Sequence, residues 1–171
     1  MENYNEEFNT IIADLTQNST VQEMKNYIQH CDTTCYEHCM NVAYYSYLIC
    51  KKYNLDYVSA ARGGMLHDLF LYNWRKSKKK LKLEGWHAFV HPRIALSNSI
   101  KLFELNDIEK DVILKHMWPV TLFSLPKYCE SYIITLVDKY CATHETLEYI
   151  KKKSILRAGI LGTVLKIPFQ I

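Results

Sequence analysis

Glycine and proline are scarce, five and four in 171 residues. So few turn formers exclude a fold dense in tight turns and favour long regular elements. No run approaches the roughly 18 apolar residues of a membrane span; the apolar tail 155–171 is broken by Arg157 and Lys166. No Ser- or Gly-rich linker and no internal repeat divides the chain, so a single domain over 1–171 is expected. None of the six cysteines forms a CxxC pair, which excludes zinc-ribbon and thioredoxin-type motifs. A net charge of +3 gives no strong nucleic-acid signal. The opening MENYNEEF is acidic and polar, unlike a secretory leader, so reduced thiols and a cytoplasmic location are expected.

What is present is globular composition, 49% hydrophobic and 23% charged. Apolar residues recur at helical spacing almost throughout. Phe8, Ile11, Ile12 and Leu15 stripe a helix over 3–17, and Ser19 or Thr20 caps a second helix running to about His30. Thr34-Cys35-Tyr36-Glu37 reads as a capping box for a helix to about Tyr53, where Asn54 breaks it. Cys31, Cys35 and Cys39 read as a small apolar stripe rather than a zinc site. Asp56 starts a helix to about Tyr72, thinned by Gly63 and Gly64. Glycine inside a helix costs about 1 kcal/mol relative to alanine, which the close approach of a neighbouring helix offsets. Residues 73–90 read as a loop carrying the run Lys76-Ser77-Lys78-Lys79-Lys80. Pro92 opens a helix to about Leu105, and Asp107 caps one ending near His116. Pro126 opens one to about Glu145, and the last spans 147–165. The expectation is an all-α, single-domain bundle of about seven or eight helices with no strand, its motif-bearing core at 34–146.

Six residues interrupt this apolar patterning: His38, His67, Asp68, His91, His116 and Asp138. Buried polar groups need partners, and a buried carboxylate needs a cation or several donors. A metal centre between helices satisfies them together. Imidazole and carboxylate suit Fe, Mn, Zn, Ni and Co. Four imidazoles and two carboxylates exceed one four-coordinate zinc site, so two divalent ions are expected. Asp68 is the bridge: one ion takes His38, His67, Asp68 and Asp138, the other Asp68, His91 and His116. The second keeps open positions for water and substrate. His87 stands four residues before His91, and Pro92 favours a loop there. His87 is read as a supporting or substrate-facing residue, and His30 and His144 as surface or packing residues.

The ordered set, with Glu37-His38, Gly63-Gly64-Met65-Leu66-His67-Asp68, His91-Pro92, His116 and Asp138, resembles the HD-domain superfamily of metal-dependent phosphohydrolases. The resemblance covers about 37–138. It implies an HD-type helical bundle and a hydrolase of phosphate esters, often of nucleotides. The family's His…His-Asp…Asp core falls on His38, His67, Asp68 and Asp138, and His91 and His116 match two-metal members. The chain has His116-Met117-Trp118-Pro119 where the HD-GYP type has a GYP segment. It has Leu69 to Arg75 where many members place a Gly-Lys pair. Six ligands with a shared Asp68 lead to an expectation of Fe or Mn ahead of Zn, Ni, Co or Mg, and the expected chemistry is attack on phosphorus by a metal-bound hydroxide. Asp68 and His87 are the expected catalytic residues. His87, Lys139 and Arg75 are expected to hold a small phosphorylated substrate, with the lysines from Lys76 to Lys82 as an electropositive rim. Two alternatives stay open: a mixed-valent di-iron oxygenase on the same ligands, and a non-catalytic sensor module binding metal or nucleotide.

Overall fold

A computed structural model describes residues 5–73 and 87–164, with side chains except at His87 and 157–164. Among these residues there are eight α-helices, one 3₁₀ turn and one two-stranded antiparallel pair. The order is α1 (Glu6–Ile11), α2 (Ala13–Gln17), α3 (Ser19–Gln22), the 3₁₀ turn (Glu23–Asn26), β1 (Ile28–His30) and β2 (Thr33–Thr34). There follow α4 (Cys35–Lys52), α5 (Tyr57–Leu66), α6 (His87–Leu102), α7 (Asp107–Lys115) and α8 (Cys129–Val164). The all-α expectation holds, and no helix among the described residues is long and apolar enough to cross a membrane.

Local chemistry explains the boundaries. Thr34 is extended and its hydroxyl accepts from the Glu37 N–H at 3.2 Å, while Glu37 accepts from the Thr34 N–H at 2.9 Å. This reciprocal cap starts α4, which ends at Asn54 in the left-handed region, φ 54°. Asp56 caps α5 through the Ser59 N–H at 2.9 Å. Asn106, rather than Asp107, caps α7, in a second reciprocal pair with Glu109. Asn18, rather than Ser19 or Thr20, caps α3.

Four expectations are corrected. The first helix is interrupted at Ile12. The second does not reach His30: the chain turns through Cys31, φ 51°, into the β1–β2 pair. The β-branched Thr33 and Thr34 suit that extended strand, and the Cys35 N–H closes it on the Tyr27 carbonyl at 2.8 Å. α6 begins at His87, so Pro92 lies inside it and His91 is helical. Proline disfavours α geometry at the preceding residue without forbidding it, and burial of His91 and Pro92 offsets the cost. Finally, 129–164 is one helix, because nothing around Glu145 breaks it.

The core has two parts. Phe8, Leu15, Met24, Tyr47, Met65 and Phe70 belong to one. Val42, Ala60, Val112, Ile134 and Val137 belong to the other. α5 lies between them and is thin where it must be. A Cβ on Gly64 would stand 2.8 Å from the Ala43 Cα of α4, and one on Gly63 would stand 2.8 Å from Val112 Cγ1 of α7. This contact brings the N-terminal turn of α4 and the C-terminal end of α5 together.

Gly64→Ala should lower stability by about 1–3 kcal/mol through overpacking, outweighing the gain in helix propensity. Thermal unfolding should show a melting temperature roughly 2–12 °C lower. Gly63→Ala should cost less on a Val112→Ala background than alone, since its clash is with a side chain; equal costs in both backgrounds would contradict this packing.

Candidate metal centre

Helices α4 to α8 each present part of one buried cluster. His38 lies in the first turn of α4, His67 caps the C-terminus of α5 and Asp68 follows it. His91 lies in the second turn of α6, His116 caps the C-terminus of α7, and Asp138 faces inward from α8. All six are buried. Their ligand atoms gather into two groups, His38–His67–Asp138 and Asp68–His91–His116, each with its atoms within 4.8 Å of one another.

Asp68 joins the groups. Its Oδ1 is 3.3 Å from His91 Nε2 and 3.5 Å from His116 Nε2, and its Oδ2 is 3.5 Å from His67 Nε2. Asp138 Oδ1 is 3.0 Å from His38 Nε2 and 3.8 Å from His67 Nε2. His67 and Asp68 face both groups of the cluster. They do so from the end of α5 and not from its interior, since the helix stops at Leu66 instead of running to Tyr72.

The histidines are oriented by their other nitrogens. His67 Nδ1 donates to the Gly64 carbonyl at 2.7 Å, and His116 Nδ1 to the Ile113 carbonyl at 2.8 Å. Both are bonds to the carbonyl three residues back, one of those a helix C-terminus leaves unsatisfied. His38 Nδ1 donates to the Glu145 carboxylate at 3.1 Å. Each ring therefore turns Nε2 inward, where a cation would displace any proton it carries. This Nδ1 bonding is the usual outer support of a metal-ligating histidine.

Three observations fit these atoms to cations. His67 Nε2 and Asp68 Oδ1 are buried with no hydrogen-bond partner. Such orphans are rare in folded proteins. His91 Nε2 and His116 Nε2 stand 2.8 Å apart, sharing one proton in the metal-free chain and placed so that a cation could take that proton's position. The third is charge. Burial raises the Asp68 carboxyl, but His67, His91 and His116 outweigh it and hold the group well below the usual range. Burial likewise raises Asp138, and His38 and His67 bring it far down. The imidazoles answer. Burial lowers His67, yet the Cys39 sulfur and the two carboxylates take it up to about 9. Asp138 and Glu145 lift His38 well above its ordinary value against burial. His116, in contrast, is driven by burial down to about 3 and keeps its lone pair. A divalent cation would supply the positive charge that two buried carboxylates otherwise draw from protonated imidazoles.

The remaining expected residues are placed less centrally. The backbone puts His87 one turn before His91 on α6, in a helix and not in the expected loop; its side chain lies outside the described residues. Arg75 and the lysines from Lys76 to Lys82 also lie outside them. Lys139 Nζ is 3.6 Å from Asp138 Oδ2 and donates to the carbonyls of His116 and Thr135 at 3.1 and 3.2 Å. Its ammonium thus braces α7 against α8 beside the cluster.

Sequence reasoning missed two residues. Glu145 follows Asp138 by seven positions, two helical turns, and that spacing could have placed both carboxylates on one face. Gln29 had no such signal. It is buried because β1 turns it inward, and its side-chain N–H donates to Asp68 Oδ2. Cys35 and Cys39 line the same region, the Cys35 thiol donating to the Asp68 carbonyl at 3.2 Å.

Two outcomes are expected. Metal binding should release protons and strengthen as pH rises from 6 toward 9. His38 and His67 are raised, so they hold protons below those values and a cation must displace them. Calorimetry in buffers of different ionisation enthalpy measures this; pH-independent affinity would contradict it. Asp68→Ala should abolish binding at both positions, whereas His91→Ala and His116→Ala should weaken only one. Elemental analysis after metal loading distinguishes these, and full metal content in Asp68→Ala would overturn the bridging role.

Compared with protein-family models, with curated proteins and with solved structures, the chain matches none of them.

Proposed function

We propose that the protein is a metal-dependent phosphohydrolase of the HD type that cleaves the phosphate ester of a small molecule, with a nucleotide the leading substrate class. The observation that carries this reading is the convergence of the six ligands into two adjacent groups joined by one buried carboxylate, Asp68. On this reading His38, His67 and Asp138 with Asp68 hold one divalent ion, and Asp68, His91 and His116 hold the other. Fe or Mn fits the nitrogen and oxygen donors best. Bound there, such ions supply Lewis acidity, lowering the pKa of water and drawing in phosphate oxygens.

The protein's own groups do the rest. Glu145, Gly64 and Ile113 accept the Nδ1 protons and aim the rings. Gln29 orients the Asp68 carboxylate from the hairpin side. Asp68 and Asp138, both ionised, fix the charge of the centre. The group Asp68–His91–His116 offers fewer protein ligands, so an ion held there would keep coordination positions for water and a phosphate oxygen. His87, one turn from His91, is assigned to the substrate side with Arg75 and Lys139. Lys139 contributes its charge at the edge, since its protons already serve protein carbonyls.

The test is a phosphate-release screen across nucleotides and simple phosphate esters with Mn²⁺ or Fe²⁺ under strict anaerobiosis. Hydrolysis should proceed without oxygen and stop on chelation. Product formed only with O₂, without ester cleavage, would identify a di-iron oxygenase instead; nucleotide binding without turnover would identify a sensor module. His87→Ala should keep its metal content and lose turnover, on the order of 10²-fold, as expected for a residue serving proton transfer or substrate positioning. Loss of one metal equivalent in that variant would make His87 a ligand and contradict its assigned role.

A further inference from the structure

His38 differs from its partners in how it is held. His67 and His116 each end a helix, where a carbonyl three residues back is free to take the Nδ1 proton. His38 stands in the first turn of α4, where carbonyls are committed to the helix that follows. Its orienting acceptor must come from elsewhere, and it is a charged one. Both carboxylate oxygens of Glu145 lie 3.1 Å from His38 Nδ1. On the opposite edge Asp138 Oδ1 lies 3.0 Å from Nε2. Asp138 and Glu145 are two turns apart on α8, so one face of one helix brackets the ring.

On the reading that His38 is a metal ligand, we propose that Glu145 is the positioning residue of the centre: it fixes the His38 tautomer and ring and sets the affinity of the His38–His67–Asp138 position. A carboxylate acceptor makes the imidazole more electron-rich than a neutral carbonyl does, so His38 is the strongest nitrogen donor of the cluster. Glu145 is itself buried, at 8% exposure, and with Asp32, Thr33, His144 and Glu148 it lines a cleft of about 640 Å³. The side chain therefore stands between the cluster and that cleft.

His30 raises a competing use of the same atoms. Its ring meets that of His38 edge-on at 5.0 Å, and the ligand atoms of His30, His38 and Glu145 lie within 4.8 Å of one another. A cation there would need His38 Nδ1, which is the atom donating to Glu145. One imidazole would have to lose both protons to serve both positions. The pairing with Glu145 needs no such step.

The experiment titrates Co²⁺ alone into the full chain, read by its d–d absorption and by elemental analysis, with metal-free melting curves to confirm folding. Glu145→Ala should weaken binding at one position roughly 10–100-fold and leave the other unchanged. Glu145→Gln keeps an acceptor without the charge and should fall between Ala and wild type, which a merely structural role would not produce. It also serves if the alanine variant fails to fold. Long-range ¹H–¹⁵N correlation should show the His38 Nδ1–H tautomer in wild type and its loss in Glu145→Ala. Wild-type affinity in both variants would overturn the inference while leaving the metal-binding reading intact. So would a third equivalent of Co²⁺ in wild type that His30→Ala and Glu145→Ala both lose. A wild-type chain that binds no transition metal would overturn both.

Discussion

Two carboxylates, Asp68 and Asp138, are buried within a few ångströms of four imidazoles, and both are held ionised. Buried anions of this kind are costly unless positive charge meets them directly. The surrounding residues answer that demand. His38 and His67 are pushed toward protonation, Lys139 reaches back to Asp138, and Gln29 donates to Asp68. Imidazole protons are a poor substitute for a divalent cation, because each sits on one ring, whereas a cation is shared among several atoms. The orphaned His67 Nε2 and Asp68 Oδ1 mark where the protein's own groups fall short.

The scaffold delivers these atoms by ending its helices at the centre. α5 and α7 both stop there, and each uses one freed carbonyl to aim a histidine. α4 starts there, and borrows Glu145 from α8 for the same purpose. The spacing between α4 and α5 is set by Gly64 against Ala43. A side chain at that point would separate His38 from His67, so packing and chemistry share one constraint. The two glycines that weaken α5 as a helix are what allow it to lie close enough to its neighbours.

Much of this was legible in the chain. The helical class follows from periodicity and from scarce turn formers, a capping box marks the start of α4, and Gly63 and Gly64 mark the thin stretch of α5. The six polar interruptions identified the cluster because ligand type and burial leave a strong trace in an apolar pattern. What stayed hidden depended on tertiary partners. Gln29 enters on a short strand pair that helical periodicity does not register, and only Asp68 beneath it explains its burial. Pro92 read as a helix start, yet the burial of His91 and Pro92 against the core carries α6 back to His87. The sequence reading ends one helix near Glu145 and starts another at 147, whereas α8 runs unbroken through that point. The burial of Glu145 against His38 is a long-range fact, hinted at only by the seven-residue spacing from Asp138.

The central claim is that the six side chains hold two neighbouring cations across Asp68. Anomalous X-ray diffraction from crystals of the Mn²⁺- or Fe²⁺-loaded protein measures this most directly. The account predicts two anomalous peaks flanking the Asp68 carboxylate, one among His38, His67 and Asp138 and one beside His91 and His116. A single peak, or peaks only at surface carboxylates with the six side chains bonded to one another, would contradict it.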